Sequence, residues 1–218
     1  MKQAVIFDMD GVLVNSERAY LQRRLNFFSE KGIQPGSDNL KDYLGVSNQR
    51  VWELLVPQNI KYRQELRKDY LKYQETHPLD YRKILNKGVR GLLCYLQQMD
   101  FAIALASAGE LHEVKRMLRE CHLDYYFDLV MSGEMVDCNK PDPMIYHATV
   151  KKLGLSASEC IVIEDSVIGI TAAKRAGLET WALKPKDYEI DQSSADKIVN
   201  NFEEILKKFQ KISEKYNS

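Results

Sequence analysis

Two carboxylates stand two positions apart in the run Phe7-Asp8-Met9-Asp10-Gly11-Val12. An apolar stretch, Ala4-Val5-Ile6-Phe7, leads into them, and Asn15-Ser16-Glu17 follows with the look of a helix start. A strand repeats its side-chain direction every second residue, so Asp8 and Asp10 begin on one side. Like charges that close repel unless a cation lies between them. A hard divalent cation is the natural partner; Mg²⁺ takes one or two protein carboxylates and completes its shell with water and anionic oxygens. Gly11 lets the backbone leave the strand sharply and present a carbonyl as well as a carboxylate. Taken alone, Asp-x-Asp-Gly describes a solvated acidic turn equally well.

Three more stretches carry chemistry. Ala106-Ser107-Ala108-Gly109 places a hydroxyl and backbone amides just ahead of a helix, a cradle for an anion or an ordinary N-cap. Asn139-Lys140-Pro141-Asp142-Pro143 holds a lysine among prolines, where most lysines are simply solvated. Glu164-Asp165-Ser166 is a second carboxylate pair, which would also suit the positive end of the helix that follows it.

The elements that must position these residues follow from periodicity. Residues 2–7 read as a buried strand. From Asn15 the apolar spacing turns helical: Tyr20, Leu21, Leu25 and Phe28 recur at helical intervals until Gly32. A helical stretch runs through Leu44. Ser47 or Asn48 caps a helix with Val51, Trp52, Leu54 and Leu55. A charged helix over 60–76 ends at His77-Pro78. After Gly88 helices and strands alternate. The strands are 101–105, 127–131, 160–163, 180–183 and, more weakly, 197–199; helices cover 88–98, 110–121, 143–153, 167–176 and 201–216. Short β-branched runs without polar alternation suit a parallel sheet covered on both faces. The alternation predicts a doubly wound α/β domain. Such sheets place their sites beyond the carboxyl ends of the strands, which is where all four stretches fall.

Bulk properties narrow the function classes. The chain has 218 residues, 31 Lys+Arg against 31 Asp+Glu, and 44% apolar content. A net charge of zero gives no support for a nucleic-acid or membrane-surface protein. No apolar stretch approaches the ~20 residues of a spanning helix. The first residues lack a signal-peptide layout. Cys94, Cys121, Cys138 and Cys160 show no metal-like spacing and are expected to be reduced and structural. A cytoplasmic globular protein is expected, with no nucleic-acid or membrane partner.

Asp8, Asp10 and Asp165 around a cation, with Ser107 and Lys140 placed for an anion, are equipment for phosphoryl transfer. The ordered set Asp8-x-Asp10-Gly11, Ser107, Lys140-Pro141 and Glu164-Asp165 resembles the haloacid dehalogenase superfamily of phosphotransferases, and within it the β-phosphoglucomutase-like group. The resemblance covers nearly the whole chain. It implies a Rossmann-like core, residues 1–14 and 83–218, with a helical cap over 15–82. It implies that Asp8 is the nucleophile and Asp10 the general acid and base. It implies Mg²⁺ held by Asp8, the Asp10 carbonyl and Asp165 with Glu164 close by, and a phosphoryl group held by Ser107, Ala108 and Lys140. An acid at Asp10 argues against a carbon–halogen substrate.

The mutases of the group carry Lys and Arg on either side of a Gly-Val-Ser, and a His in the first cap helix. Here Gly45-Val46-Ser47 is flanked by Leu44 and Asn48, and the helix position is Tyr20. Arg50, Arg23 or Arg24 could substitute. Without those groups water becomes the default acceptor. The expected activity is therefore hydrolysis of a small phosphorylated metabolite, a sugar or polyol phosphate, by a monomer or weak oligomer. A sugar phosphomutase is the alternative, and a non-catalytic binding module on the same fold stands behind both.

Overall fold

The computed structural model describes residues 2–44, 46, 48–186 and 188–217, with side chains through Glu214. Gly45 and Ser47, including the expected cap at Ser47, lie outside the described residues. The chain divides into two compact units, Met1–Val14 with Tyr81–Ser218, and Asn15–Asp80.

The first unit is an α/β domain. Its strands are β1 (Ala4–Phe7), β2 (Ala102–Ser107), β3 (Leu129–Ser132), β4 (Cys160–Glu164), β5 (Glu179–Leu183) and β6 (Lys197–Val199). Among the described residues they form one six-stranded sheet in the order β3-β2-β1-β4-β5-β6, every pair parallel. The order reverses beside β1, so the crevice for a ligand falls between the carboxyl ends of β1 and β4. Phe7, the last residue of β1, pairs with Leu105 on one side and Ile163 on the other. That register sets Asp8 between Ala106 and Glu164.

Both faces of the sheet are covered, and the strand alternation sorts the side chains between them. One face gathers Ala4, Ile6, Ala104, Ala106, Cys160 and Val162. Ile145 and Tyr146 of a helix, Met144–Leu153, pack against it with Ala172 and Ala173 of Val167–Arg175. The alanines let those helices approach closely. Val5 and Phe7 turn to the other face, where Phe127 meets Phe7 edge-on at 6.3 Å.

The second unit is helical among its described residues: α1 (Glu17–Glu30), α2 (Asn48–Leu55) and α3 (Ile60–Thr76), with a 3-10 turn at Leu40–Tyr43 where a helical stretch through Leu44 is expected. Asn59 caps α3 by accepting the Tyr62 amide at 3.1 Å. Phe27, Phe28, Trp52, Leu66 and Tyr70 build its core, the rings meeting mostly edge to face.

The remaining helices, α4 (Tyr81–Ile84), α5 (Val89–Gln98), α6 (Leu111–Glu120), α7 (Met144–Leu153), α8 (Val167–Arg175) and α9 (Phe202–Asn217), belong to the first unit. The short α4 is not signalled by periodicity. The division at Asp80/Tyr81 precedes the boundary expected at 82/83, because Tyr81 is fully buried in the first unit. Its hydroxyl donates to Glu113 at 2.8 Å, and the Arg116 guanidinium lies over its ring at 4.5 Å. β2, β3 and β4 also run further than expected, taking Ser107, Ser132 and Glu164 into the ladder as last residues.

Candidate active site

A tight turn follows β1. The amides of Leu13 and Val14 both donate to the Met9 carbonyl, and the Gly11 amide to that of Val14. Gly11 takes φ +79°, and a Cβ there would stand 1.9 Å from Oδ2 of Asp165. Only glycine admits both that conformation and that approach. Asn86 fastens the turn from outside, its side chain donating to the carbonyls of Val12 at 2.7 Å and Gly11 at 3.3 Å.

Lys140 is the hub. Its side chain is 2% exposed, and Nζ donates to Asp8 Oδ1 at 2.6 Å, Glu164 Oε1 at 2.8 Å and the Ala106 carbonyl at 2.9 Å. Three donors meet three acceptors, so the ammonium is fully satisfied. Burial alone would lower its pKa; Asp8 and Glu164 overcome that and hold it well above its usual value. The Tyr146 ring lies beneath it at 5.0 Å, and the Tyr146 hydroxyl donates to Glu164 Oε1 at 3.0 Å.

Glu164, fully buried, has both oxygens engaged. Oε1 takes Lys140 and Tyr146, and Oε2 takes the amides of Asp165 and Ser166 at 2.9 and 3.2 Å and the Ser166 hydroxyl at 3.1 Å. Gly169 makes room for it, since a Cβ there would lie 1.8 Å from Oε1.

Asp8, Glu164 and Asp165 each bring a carboxylate oxygen within 4.8 Å of the others, all three buried. Burial lifts the Asp8 carboxyl to about 8; Lys140 pulls it down, while Glu164 and Asp10 push it up. One lysine therefore does not neutralise the set, and a divalent cation on oxygen donors fits the deficit. The half-buried Asp10 is outside that carboxylate group.

At the end of β2, Ser107 Oγ accepts the Gly109 amide at 3.0 Å, leaving its own hydrogen available to an anion. Asn139 donates to the Ala108 carbonyl at 3.0 Å, and Ser132 to the Gly109 carbonyl at 2.8 Å. A trans peptide points its N–H away from its carbonyl, so these bonds fix where the loop's amides face. Ser107 is buried and Ala108 exposed.

The structure thus brings Asp8, Lys140, Glu164 and Asp165 into direct reach, with Ser107 and Ala108 on the neighbouring strand end. Sequence reasoning missed Asn86, Ser132 and Tyr146. Only Tyr146 left a signal, as an aromatic six positions after Lys140 in a helix of otherwise mixed character. Of the arginines considered as extra cations, Arg23 is buried and donates to the Tyr70 hydroxyl at 3.1 Å, and Arg50 pairs with Glu53 at 3.0 Å.

A parallel sheet with paired carboxylates and a buried lysine at its switch point defines an α/β enzyme built for phosphoryl transfer. The family described as haloacid dehalogenase-like hydrolase matches residues 5–183, and the chain belongs to it. A phosphorylated carbohydrates phosphatase of Thermotoga maritima is 31% identical over 179 residues, 81% of this chain and 82% of that relative. Hexitol phosphatase B of Escherichia coli is 32% identical over 197 residues, 86% of each chain. A Thermotoga maritima structure described provisionally as a β-phosphoglucomutase superposes with a TM-score of 0.78 at 28% identity, over 97% of this chain and all of the other. The chain is accordingly an enzyme of the haloacid dehalogenase phosphatase and phosphomutase type. No helix among the described residues is long and apolar enough to cross a membrane.

Proposed function

We propose that the protein is a magnesium-dependent phosphatase that hydrolyses a small phosphorylated sugar or polyol through an aspartyl phosphate. The observation that carries this is Asp8, buried at the switch point with Lys140 Nζ 2.6 Å from its Oδ1 and two further carboxylates beside it. The phosphatase relatives, named for phosphorylated carbohydrates and hexitols, support the substrate class.

An Asp8 carboxylate oxygen attacks phosphorus and forms the acyl phosphate. Asp10 gives its proton to the departing sugar oxygen. It then takes one from the water that cleaves the acyl phosphate and releases inorganic phosphate. Ser107 and the amides of the Ala108 loop receive the phosphoryl oxygens, and Lys140 balances the charge that builds on them. Magnesium would be held by the Asp8 and Asp165 carboxylates and the Asp10 carbonyl, with Glu164 behind them. When bound it neutralises the carboxylates and polarises the phosphoryl oxygens. Glu164, with its oxygens spent, aims Lys140 at Asp8 and fixes the backbone that carries Asp165.

The test is phosphate release from a chromogenic ester and from a panel of sugar and polyol phosphates. It is run with Mg²⁺, after exhaustive chelation, and after Mg²⁺ is restored. Activity lost on chelation and regained on restoration is expected. Full activity in the chelated protein would remove the metal from the reading, and no hydrolysis of any ester with Mg²⁺ present would remove the phosphatase.

A further inference from the structure

Between β5 and β6 the chain runs irregularly over residues 184–196, and among its described residues one alone is buried. That residue is polar: Gln192, 4% exposed. Burying a long amide side chain costs rotamer freedom and hydration, so the amide needs partners. Nε2 has two. It donates to the backbone carbonyl of Asp165 at 2.6 Å and to that of Leu183 at 3.0 Å. Leu183 ends β5, and Asp165 directly follows β4. The one NH₂ group thus ties together the carboxyl ends of two adjacent strands.

The turn that presents Gln192 is itself fastened. The Ala195 amide donates to the Gln192 carbonyl at 3.1 Å, and the Asp196 amide to that of Thr180 at 2.8 Å. Asp196 Oδ2 accepts the Thr180 amide and Lys174 Nζ, both at 2.7 Å. The side chain therefore projects inward from a base pinned to β5 and to α8.

Asp165 occupies the joint between β4 and α8, outside the strand and the helix. Glu164 Oε2 accepts its N–H at 2.9 Å, and Gln192 donates to its C=O. With both backbone groups held, the Cα–Cβ bond of Asp165 is fixed in direction, and its carboxylate lies against Gly11. Deleting the amide would leave a buried carbonyl without that donor, and the peptide would rotate toward another one. The carboxylate would move with it.

We infer that Gln192 is a positioning residue for the Asp165 carboxylate, acting through the Asp165 carbonyl and setting the affinity of the metal site. The inference rests on the reading of Asp165 as a magnesium ligand. It reaches beyond that reading by assigning part of the site to the β5–β6 connection. Groups that orient metal ligands from behind typically govern ten- to hundred-fold in affinity.

The experiment measures metal binding without substrate: Mg²⁺ by titration calorimetry and Mn²⁺ by electron paramagnetic resonance, with thermal melting of the metal-free protein alongside. Gln192→Met keeps the length and removes both donors. Affinity for both ions should fall about tenfold or more. Gln192→Asn keeps a buried amide on a shorter stem that cannot reach both carbonyls, and should also weaken binding. Phe209→Leu serves as the control. Phe209 packs against Phe101, at the opposite end of the strands, and against Trp181. Its loss should lower the melting temperature and leave affinity unchanged. Wild-type affinity in either Gln192 variant, whatever its melting temperature, would overturn the inference and leave Gln192 a structural residue. If the wild-type protein binds neither ion, the metal reading fails first and the inference falls with it.

Discussion

A buried lysine keeps its proton only where carboxylates surround it, and Lys140 has two, Asp8 and Glu164. The same contacts explain why Asp8 can be both buried and reactive. Its neighbours Glu164 and Asp10 oppose its charge, and Lys140 supports it. Asp8→Asn keeps the shape and the acceptor for Lys140 but offers an amide in place of a nucleophile. Turnover should fall by at least about a thousandfold, a barrier increase of about 4 kcal/mol. The melting temperature should hold or rise, because a crowded negative charge has been removed from the interior. Steady-state assays paired with thermal melts check both halves; a variant with wild-type turnover would place the nucleophile elsewhere.

Two small elements carry stability and geometry out of proportion to their size. The turn after β1 works because Gly11 adopts φ +79° with no Cβ to meet Asp165. Gly11→Ala should cost about 1–2 kcal/mol for the left-handed conformation. Displacing Asp165 should in addition raise the Mg²⁺ concentration needed for half-maximal activity about tenfold or more. Urea unfolding and a magnesium activation curve read the two effects separately. At the β5–β6 edge, burial raises the Glu179 carboxyl. The Trp181 indole and the amines of Lys197 and Lys2 more than reverse this, bringing it down from 4.5 to about 2. A depressed folded-state pKa contributes stability that is present above 4.5 and lost as pH falls through about 2. Glu179→Gln should cost about 1–2 kcal/mol at pH 7 once solvent screening of this partly exposed group is allowed for. The gap to wild type should close as pH falls across that window. A gap constant with pH would show that the charge contributes nothing.

At the scale of the molecule, two units with separate cores share one chain, the helical one inserted between β1 and the rest of the α/β unit. The proposed hydrolysis, rather than mutase chemistry, follows from the uncharged flanks of Gly45-Val46-Ser47. A mutase must hold a second phosphate and return a phosphoryl group before water takes it. Leu44 and Asn48 carry no charge where the mutases have cations. Arg23 is committed to Tyr70, with its guanidinium over the rings of Tyr20 and Tyr70. A lost charge-assisted contact is worth about 1.5–3 kcal/mol, and two such losses favour water. With β-glucose 1-phosphate and a trace of the bisphosphate, phosphate release should outpace glucose 6-phosphate formation. A coupled dehydrogenase assay run beside phosphate detection decides it. Isomerisation well ahead of release would restore the mutase and point to Arg50 or Arg24 as the second cation.

Most of the longer elements and their order were legible in the sequence, because periodicity is local; α4 and the 3-10 turn at Leu40–Tyr43 were not. Four apolar runs ending in Asp8, Ser107, the Lys140 loop and Glu164-Asp165 were enough to place the chemistry at one edge of a parallel sheet. The helical character of 15–82 was readable from spacing in the same way, though the structural unit closes at Asp80. Strand ends were not, since a polar last residue such as Ser107, Ser132 or Glu164 joins the ladder only when a neighbouring strand offers the register. The supporting contacts belong to the tertiary structure alone. Gln192 reaches Asp165 across 27 positions, Asn86 reaches Gly11 across 75, and Lys140 reaches Asp8 across 132. No spacing rule links such residues. Their hydrogen bonds exist only after the sheet has set the strand ends side by side, where a buried carbonyl or carboxylate must be satisfied by whatever donor the fold brings to it.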